Sequence, residues 1–259
     1  MDALALLRLQ IEWGADEALD DSPVDRLRPA APPPPAVRPA PSPTPAATPL
    51  PSTARAGAAE RAVAAAACAS TLDALRAAIA GFDGCALRDT ATKPVLPTGD
   101  PDSGLLLIGD PPGAEEDRSG MPFAGPDGEL LDRMLASIGL QRAQLLAAPL
   151  IPWRPPGGRP PSPGEIALCL PFLHRLIVLT APSRLVLLGT LATRTLLPGQ
   201  RRRPGSGWTK LALPALPAAV PTLLLPTPAA LASSPGLRRD AWTELRRLRR
   251  ALDGSVTDT

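Results

Sequence analysis

The chain has 259 residues, of which 36 are Pro, and its formal net charge is only +2. This length is enough for one good-sized domain with appendages, and the small charge gives no strong global field toward nucleic acid. The sequence contains no Asn, no Tyr and a single His, His174, which excludes any mechanism that needs an Asn side chain or a second His.

The three cysteines, Cys68, Cys85 and Cys169, are too widely spaced to suggest a disulfide framework or a zinc site. Reduced thiols of this kind are typical of a cytoplasmic protein. The first residues lack the basic region of a signal peptide, and no apolar run approaches transmembrane length. We therefore expect a cytoplasmic protein, monomeric and without a membrane partner.

The N-terminal quarter of the chain differs in composition from the rest. Residues 1–27 contain a pattern that could form a short helix, and residues 28–59 are rich in Pro and Ala. The second segment cannot bury a core and is predicted to be a disordered linker. The main domain is predicted over residues 60–252, beginning with an Ala-rich helix over 60–80, and residues 253–259 are predicted to be a flexible tail.

From residue 104 onward the pattern alternates between strands and helices. Wholly apolar runs, typical of buried parallel strands, lie at 105–108, 145–151, 185–188 and 222–225. Helices are predicted from about Glu129, from Pro163 after the capping residue Ser162, over 190–197 and over 237–252. In the last of these helices, Trp242 and three leucines should face inward. The chain is therefore predicted to form a three-layer α/β/α sandwich around a central, mostly parallel four-stranded sheet.

The most informative motif is the loop after the first strand, Gly109-Asp110-Pro111-Pro112-Gly113-Ala114-Glu115-Glu116-Asp117, which continues to Pro122-Phe123-Ala124-Gly125. Trp153-Arg154-Pro155-Pro156-Gly157-Gly158-Arg159 and Cys169-Leu170-Pro171-Phe172-Leu173 follow further along the chain. The order and spacing of these segments resemble the family-4 uracil-DNA glycosylases and their bacterial relatives that lack an iron–sulfur cluster. The resemblance covers about residues 81–250.

The resemblance implies roles for residues of the first loop. Phe123 matches the aromatic residue that stacks on a flipped uracil, and Asp110 stands where the family usually has Glu beside the sugar. Gly109, Pro112 and Gly113 would bring the backbone close to the substrate. Two alternatives stay open, since Phe123 could be an ordinary core residue and Asp110 could cap nearby amides.

Other family positions are altered. The Asn that reads uracil aligns with Pro149, and the His that stabilises the departing base aligns with Thr227, which retains one hydroxyl donor. His174 is expected on a helix surface and cannot replace it. A basic phosphate contact of the family is also lost, because the matching segment is Leu231-Ala232-Ser233.

The iron–sulfur ligands implied by the resemblance are incomplete. Cys85 and Cys169 match two of the four ligand positions, but Phe82 and Trp153 occupy the others and cannot bind iron. We therefore expect no cofactor and no metal, with both cysteines buried as small apolar residues.

Arginines remain that could contact DNA phosphates. Arg154 and Arg159 flank a Pro/Gly loop, and residues 201–203 form a basic run that could equally be solvated surface. Three functional hypotheses follow: a weakened or altered uracil-DNA glycosylase of base-excision repair, a degenerate glycosylase fold that binds DNA, and a scaffold.

Overall fold

The computed structural model describes residues 52–199 and 205–254, with the side chains of residues 52–56 and 233 left out. The predicted helical segment at 1–27, most of the predicted linker, the basic run at 201–203 and most of the predicted tail lie outside these residues. The first described helix, α1 (Ser52–Cys68), begins inside the segment that the sequence assigned to the linker.

Three helices precede the sheet: α1, α2 (Leu72–Gly81) and α3 (Leu87–Thr90). The Ala-rich stretch that predicted one helix over 60–80 therefore forms two. The break falls at Thr71, whose Oγ1 accepts a hydrogen bond from the Ala74 N–H at 3.1 Å and caps α2.

The described residues form a six-stranded sheet in the order β1-β3-β2-β4-β6-β5. The strands are β1 (Thr98–Gly99), β2 (Leu105–Gly109), β3 (Leu146–Pro149), β4 (Arg184–Leu188), β5 (Thr209–Leu211) and β6 (Val220–Leu225). The four central strands are parallel and are those that the sequence predicted, which confirms the fold class. The predicted number of strands was too low by two, because the short edge strands β1 and β5 pair antiparallel at either side.

The strands are connected by helices that cover the sheet. These are α4 (Ala114–Ser119), α5 (Pro126–Ala136), α6 (Pro163–Thr180), α7 (Thr190–Leu196), α8 (Pro228–Ser233) and α9 (Pro235–Leu252). Alternate residues of the strands point to opposite faces, so Leu106 and Ile108 pack with α1, α2 and α6. Leu105 and Leu107 pack on the other face with α5 and α9, which completes the three layers.

Helix α6 begins as predicted. Ser162 Oγ accepts from the Glu165 N–H at 3.3 Å, and Glu165 Oε2 accepts from the Ser162 N–H at 2.6 Å, so the capping box is complete. The helix continues through Pro171. By length and composition alone it could cross a membrane, but a core helix of a soluble protein passes the same test, and Phe172 and Leu176 of α6 lie in the core.

The predicted inner face of α9 needs one correction. Leu245 and Leu248 are buried as expected, but Trp242 is 45% exposed. The buried stripe instead includes Ala241, because a residue one position along a helix points about 100° away. The stripe also takes in Glu244, whose buried carboxylate pairs with Arg247.

Candidate active site

A cleft of about 380 Å³ lies at the carboxyl ends of the parallel strands, the edge where ligands bind in open α/β sheets. Three segments line it, together with Leu188 at the end of β4: residues 110–116 except Pro112, residues 123–127 except Gly125 at the start of α5, and residues 227–229 at the start of α8. The cleft thus brings together Asp110, Gly113, Phe123 and Thr227, which the sequence placed far apart along the chain.

Asp110 links the end of β2 to the start of α7. Its Oδ1 accepts a hydrogen bond from the Ala192 N–H at 2.8 Å. The carboxylate lies over Gly189, whose φ is +112°, and a methyl group there would come within 2.2 Å of Asp110 Cγ. Burial raises the pKa of Asp110, and the backbone amides of Thr190, Leu191 and Ala192 partly offset this. The Asp110 side chain therefore caps backbone amides, one of the two interpretations left open, and it also lines the cleft.

Phe123 forms one wall of the cleft. Its ring lies over Gly109, where an added Cβ would come within 2.7 Å of the ring carbon Cε1. This contact explains why the strand ends in glycine. The backbone of Phe123 has a positive φ of 55°, which is uncommon for a residue other than glycine. The ring is 9% exposed, so it packs with the core while lining the cleft.

The Phe123 loop is held through its main chain by two charged side chains, which we call the loop clamp: Glu116 and Arg142. Glu116 Oε1 accepts from the Phe123 N–H at 2.6 Å, and its Oε2 accepts from the Gly113 N–H at 2.7 Å. Arg142 Nη1 donates to the Phe123 carbonyl at 2.7 Å, and its Nη2 donates to the Gly128 carbonyl at 2.8 Å. These charge-assisted bonds fix a backbone conformation that would otherwise be strained.

Sequence reasoning missed the clamp, although the spacing of Gly113 and Glu116 matches a capping box at the start of α4. That spacing could have identified the bond from Glu116 to Gly113 but not the bond to Phe123. Burial raises the pKa of Glu116, the two amides lower it, and the nearby charge of Asp127 raises it further.

Thr227 is the N-cap of α8, and its Oγ1 accepts from the Ala230 N–H at 3.3 Å. Because a hydroxyl both accepts and donates, the O–H hydrogen of Thr227 can still be donated to a ligand in the cleft. Of the backbone positions expected to approach the substrate, Gly113 lines the cleft, whereas Pro112 is buried and neither Pro112 nor Gly109 is among the described lining residues.

The remaining predicted positions do not line this cleft. Arg159 forms a two-pronged ion pair with Glu165, at 2.6 Å and 2.9 Å, and this pair lowers the pKa of Glu165 to about 2. Arg154 lies in the same connection, and its Nε is buried without a hydrogen-bond partner among the described residues. Pro149 lines a separate hollow of about 20 Å³. His174, expected on a helix surface, is partly buried in α6, and burial lowers its pKa.

The corner that matches the family's iron–sulfur site is closed by aromatic rings. Phe82 and Trp153 stack with ring centroids 6.3 Å apart, and Cys85 and Cys169 are buried beside them. A hydrogen bond between the two thiols lowers the pKa of Cys85, while that bond and burial raise the pKa of Cys169. The two rings occupy positions where a four-cysteine site would need thiolates, so these residues do not fit a cluster.

The cleft is acidic. Asp110, Glu115, Glu116 and Asp127 line it, and no Lys or Arg is found among its described lining residues. Arg118 pairs with Glu115 on the outer surface, at 2.8 Å. Within the described residues, no group of three or more His, Cys, Asp or Glu side chains is arranged to hold a metal ion.

Comparison with known proteins supports one family. The model of the uracil DNA glycosylase superfamily matches residues 96–246, more than half of the chain. A type-4 uracil-DNA glycosylase of Pyrobaculum aerophilum is 33% identical over 132 residues, which cover 51% of this chain and 67% of that protein. The type-4 enzyme of Archaeoglobus fulgidus is 37% identical over 110 residues, covering 42% of this chain and 55% of that protein. The type-4 enzyme of Thermotoga maritima is 34% identical over 117 residues, which cover 45% of this chain and 61% of that protein.

Proposed function

This chain belongs to the uracil-DNA glycosylase superfamily, and we propose that it is a base-excision DNA-repair glycosylase with weakened or altered activity toward uracil. The observation that carries the proposal is the convergence of Asp110, Phe123 and Thr227 on one cleft at the carboxyl ends of the strands. Since the chain aligns with only 55–67% of the length of the relatives described above, its substrate and activity remain proposals.

In the proposed reaction a flipped nucleotide enters the cleft and its base stacks on the ring of Phe123. The Asp110 carboxylate stabilises the positive charge that develops on the sugar as the glycosidic bond breaks. Thr227 donates a hydrogen bond from its hydroxyl to the departing uracil anion. Water then adds to C1′ of the sugar, the proton that it loses passes through solvent to the uracil anion, and an abasic site is left.

We expect slow turnover on uracil. Pro149 has no side-chain donor and is not among the described residues that line the cleft, and Thr227 offers one neutral donor in place of a His. Removing a single donor to a developing anion commonly costs about 10²–10³-fold in rate. With two such donors lost, we expect the reaction to be slow enough that product is measurable only when enzyme is in excess over substrate.

A single-turnover assay on a uracil-containing oligonucleotide, followed by cleavage at abasic sites, tests the proposal. Asp110→Asn keeps an oxygen that can accept from the Ala192 N–H but removes the charge, so it should abolish product while the protein stays folded. Asp102→Asn is the matched control, because Asp102 is exposed and precedes β2, at the end of the strand opposite the cleft. Product formation that survives Asp110→Asn would refute the assigned role.

A second candidate is a degenerate glycosylase fold that binds DNA or serves as a scaffold, favoured by the altered positions Pro149 and Thr227. Arg154 and Arg159 are the proposed DNA contacts, although Arg159 is also engaged by Glu165. Salt-sensitive DNA binding without any product at protein excess would select the binding protein, and absence of both would select the scaffold.

We further propose that the protein works as a cytoplasmic monomer without an iron–sulfur cluster. The absence of a cluster is supported by the stacking of Phe82 on Trp153, which occupy two of the four ligand positions. Iron analysis of protein purified without oxygen tests it, and stoichiometric iron would refute it. Light scattering of the purified protein tests the monomer.

A further inference from the structure

The composition of the cleft suggests which base it accepts. We propose that the preferred substrate is a base that carries a positive charge, such as a purine alkylated on a ring nitrogen, rather than neutral uracil. This inference rests on the proposed glycosylase function and concerns the substrate class of the same cleft.

The first argument is the polarity of the lining. A neutral uracil presents two carbonyl oxygens, which need hydrogen-bond donors. Two backbone N–H groups of the loops around the cleft, those of Gly113 and Phe123, already donate to Glu116. The Ala192 N–H donates to Asp110. Among the described side chains that line the cleft, the Thr227 hydroxyl is the hydrogen-bond donor, and the other polar groups are carboxylates, which only accept when ionised.

The second argument is electrostatic. Four carboxylates line the cleft, and Arg118 pairs with one of them, Glu115. The charge of Asp127 already acts unfavourably on ionised Glu116. Arg142, which opposes this effect, bonds to carbonyl oxygens of the loop and to Asp132. A cationic base would relieve the repulsion between the carboxylates, and a positively charged ring also stacks favourably on an aromatic face such as that of Phe123.

The third argument concerns the leaving group. Uracil departs as an anion and therefore needs hydrogen-bond donors; of the two family positions that would supply them, Pro149 has none and Thr227 keeps only a neutral hydroxyl. A purine alkylated at N7 or N3 departs as a neutral base. The bond between C1′ and N9 breaks, its electron pair stays on the ring and cancels the positive charge, and the water oxygen bonds to C1′. The proton lost by that water passes to solvent, so the step requires no donor to the leaving base.

The volume of the cleft, about 380 Å³, lies within the range of sites for small organic ligands. A divalent cation is a poorer explanation of the acidity, because no group of three metal-ligating side chains converges among the described residues. The four carboxylates come from separate parts of the chain: the residue after β2, helix α4 and helix α5.

The test compares two oligonucleotides that differ at one position, N7-methylguanine in one and uracil in the other, under single-turnover conditions with release of free base measured by chromatography. Spontaneous loss of the methylated base is subtracted using samples without protein. We expect the methylated base to be released about tenfold faster than uracil or more, the effect of roughly 1.4 kcal/mol of charge interaction in the transition state.

Asp127→Asn should narrow the ratio of the two rates several-fold, because it removes one exposed cleft carboxylate and leaves an isosteric side chain. Asp102→Asn is the control and should leave the ratio unchanged. If uracil is released as fast as the methylated base or faster, the inference fails while the glycosylase function stands. If neither base is released, the proposed function itself fails. A ratio that Asp127→Asn leaves unchanged would overturn the electrostatic argument.

Discussion

Replacing Glu116 by Gln should remove much of the order of the Phe123 loop. The Glu116 carboxylate accepts two backbone N–H groups, at 2.6 Å and 2.7 Å. A Gln side chain has only one acceptor oxygen, and its NH₂ group would face the second N–H donor. Hydrogen bonds to charged groups contribute about 1.5–3 kcal/mol each, and an unsatisfied buried donor adds a desolvation cost. We expect Glu116→Gln to lower the free energy of unfolding by about 2–4 kcal/mol.

The adjacent Glu115 provides a matched control for this substitution. It is on the same helix, but its ion pair with Arg118 is on the surface, with side chains 46% and 72% exposed. Exposed pairs contribute little, so Glu115→Gln should change stability by about 0.5 kcal/mol or less. Urea denaturation followed by circular dichroism measures both variants in mildly alkaline buffer, where the carboxylate form dominates. A loss for Glu116→Gln that does not exceed the loss for Glu115→Gln would refute the clamp.

Two further predictions concern the ion pair between Arg159 and Glu165 and the close contact of Gly189 with Asp110. Glu165 has a pKa of about 2 in the folded protein against an ordinary value of 4.5, so its contribution to stability is present above about 4.5 and is lost as pH falls toward 2. Arg159→Ala should therefore lower the free energy of unfolding by about 1 kcal/mol at neutral pH, since the partly exposed pair is screened by solvent, and should have no effect in strong acid. Urea denaturation of both proteins across this pH range measures the difference, and a difference that does not change with pH would contradict the prediction. Gly189→Ala should displace the Asp110 carboxylate, lower the free energy of unfolding by about 3 kcal/mol through steric clash and backbone strain, and reduce glycosylase activity. Gly157→Ala is the control: it has open space around it, so it should lower stability only by the strain of its positive φ.

The central part of the fold could be predicted from sequence because its signals are local. Each parallel strand is a short apolar run, and Ser162 with Glu165 marks the start of α6. The edge strands β1 and β5 could not be predicted, because two or three residues carry no period and their pairing depends on distant partners.

The candidate site, like the fold, was predictable only in part. The resemblance pointed to Asp110 and Phe123, and both residues line one cleft; their roles stay predictions. The contacts of Glu116 and Arg142 with Phe123 join residues that are 7 and 19 positions apart through backbone atoms, for which the sequence contains no pattern. The exposure of Trp242 was also mispredicted, because a periodicity cannot distinguish a buried Ala241 from its larger neighbour.

The loop clamp holds the main chain of Phe123, whereas the ring is held separately, by its packing on Gly109 and the core. The contacts of the loop clamp therefore fix the position of the residue 123 backbone without depending on the identity of its side chain. Exchanging the ring for another flat, largely apolar group that still packs on Gly109 should alter what the wall of the cleft recognises, while the loop clamp keeps the main chain in place. A collection of variants at this single residue would turn the fold into a set of related base-binding proteins, each differing in one wall.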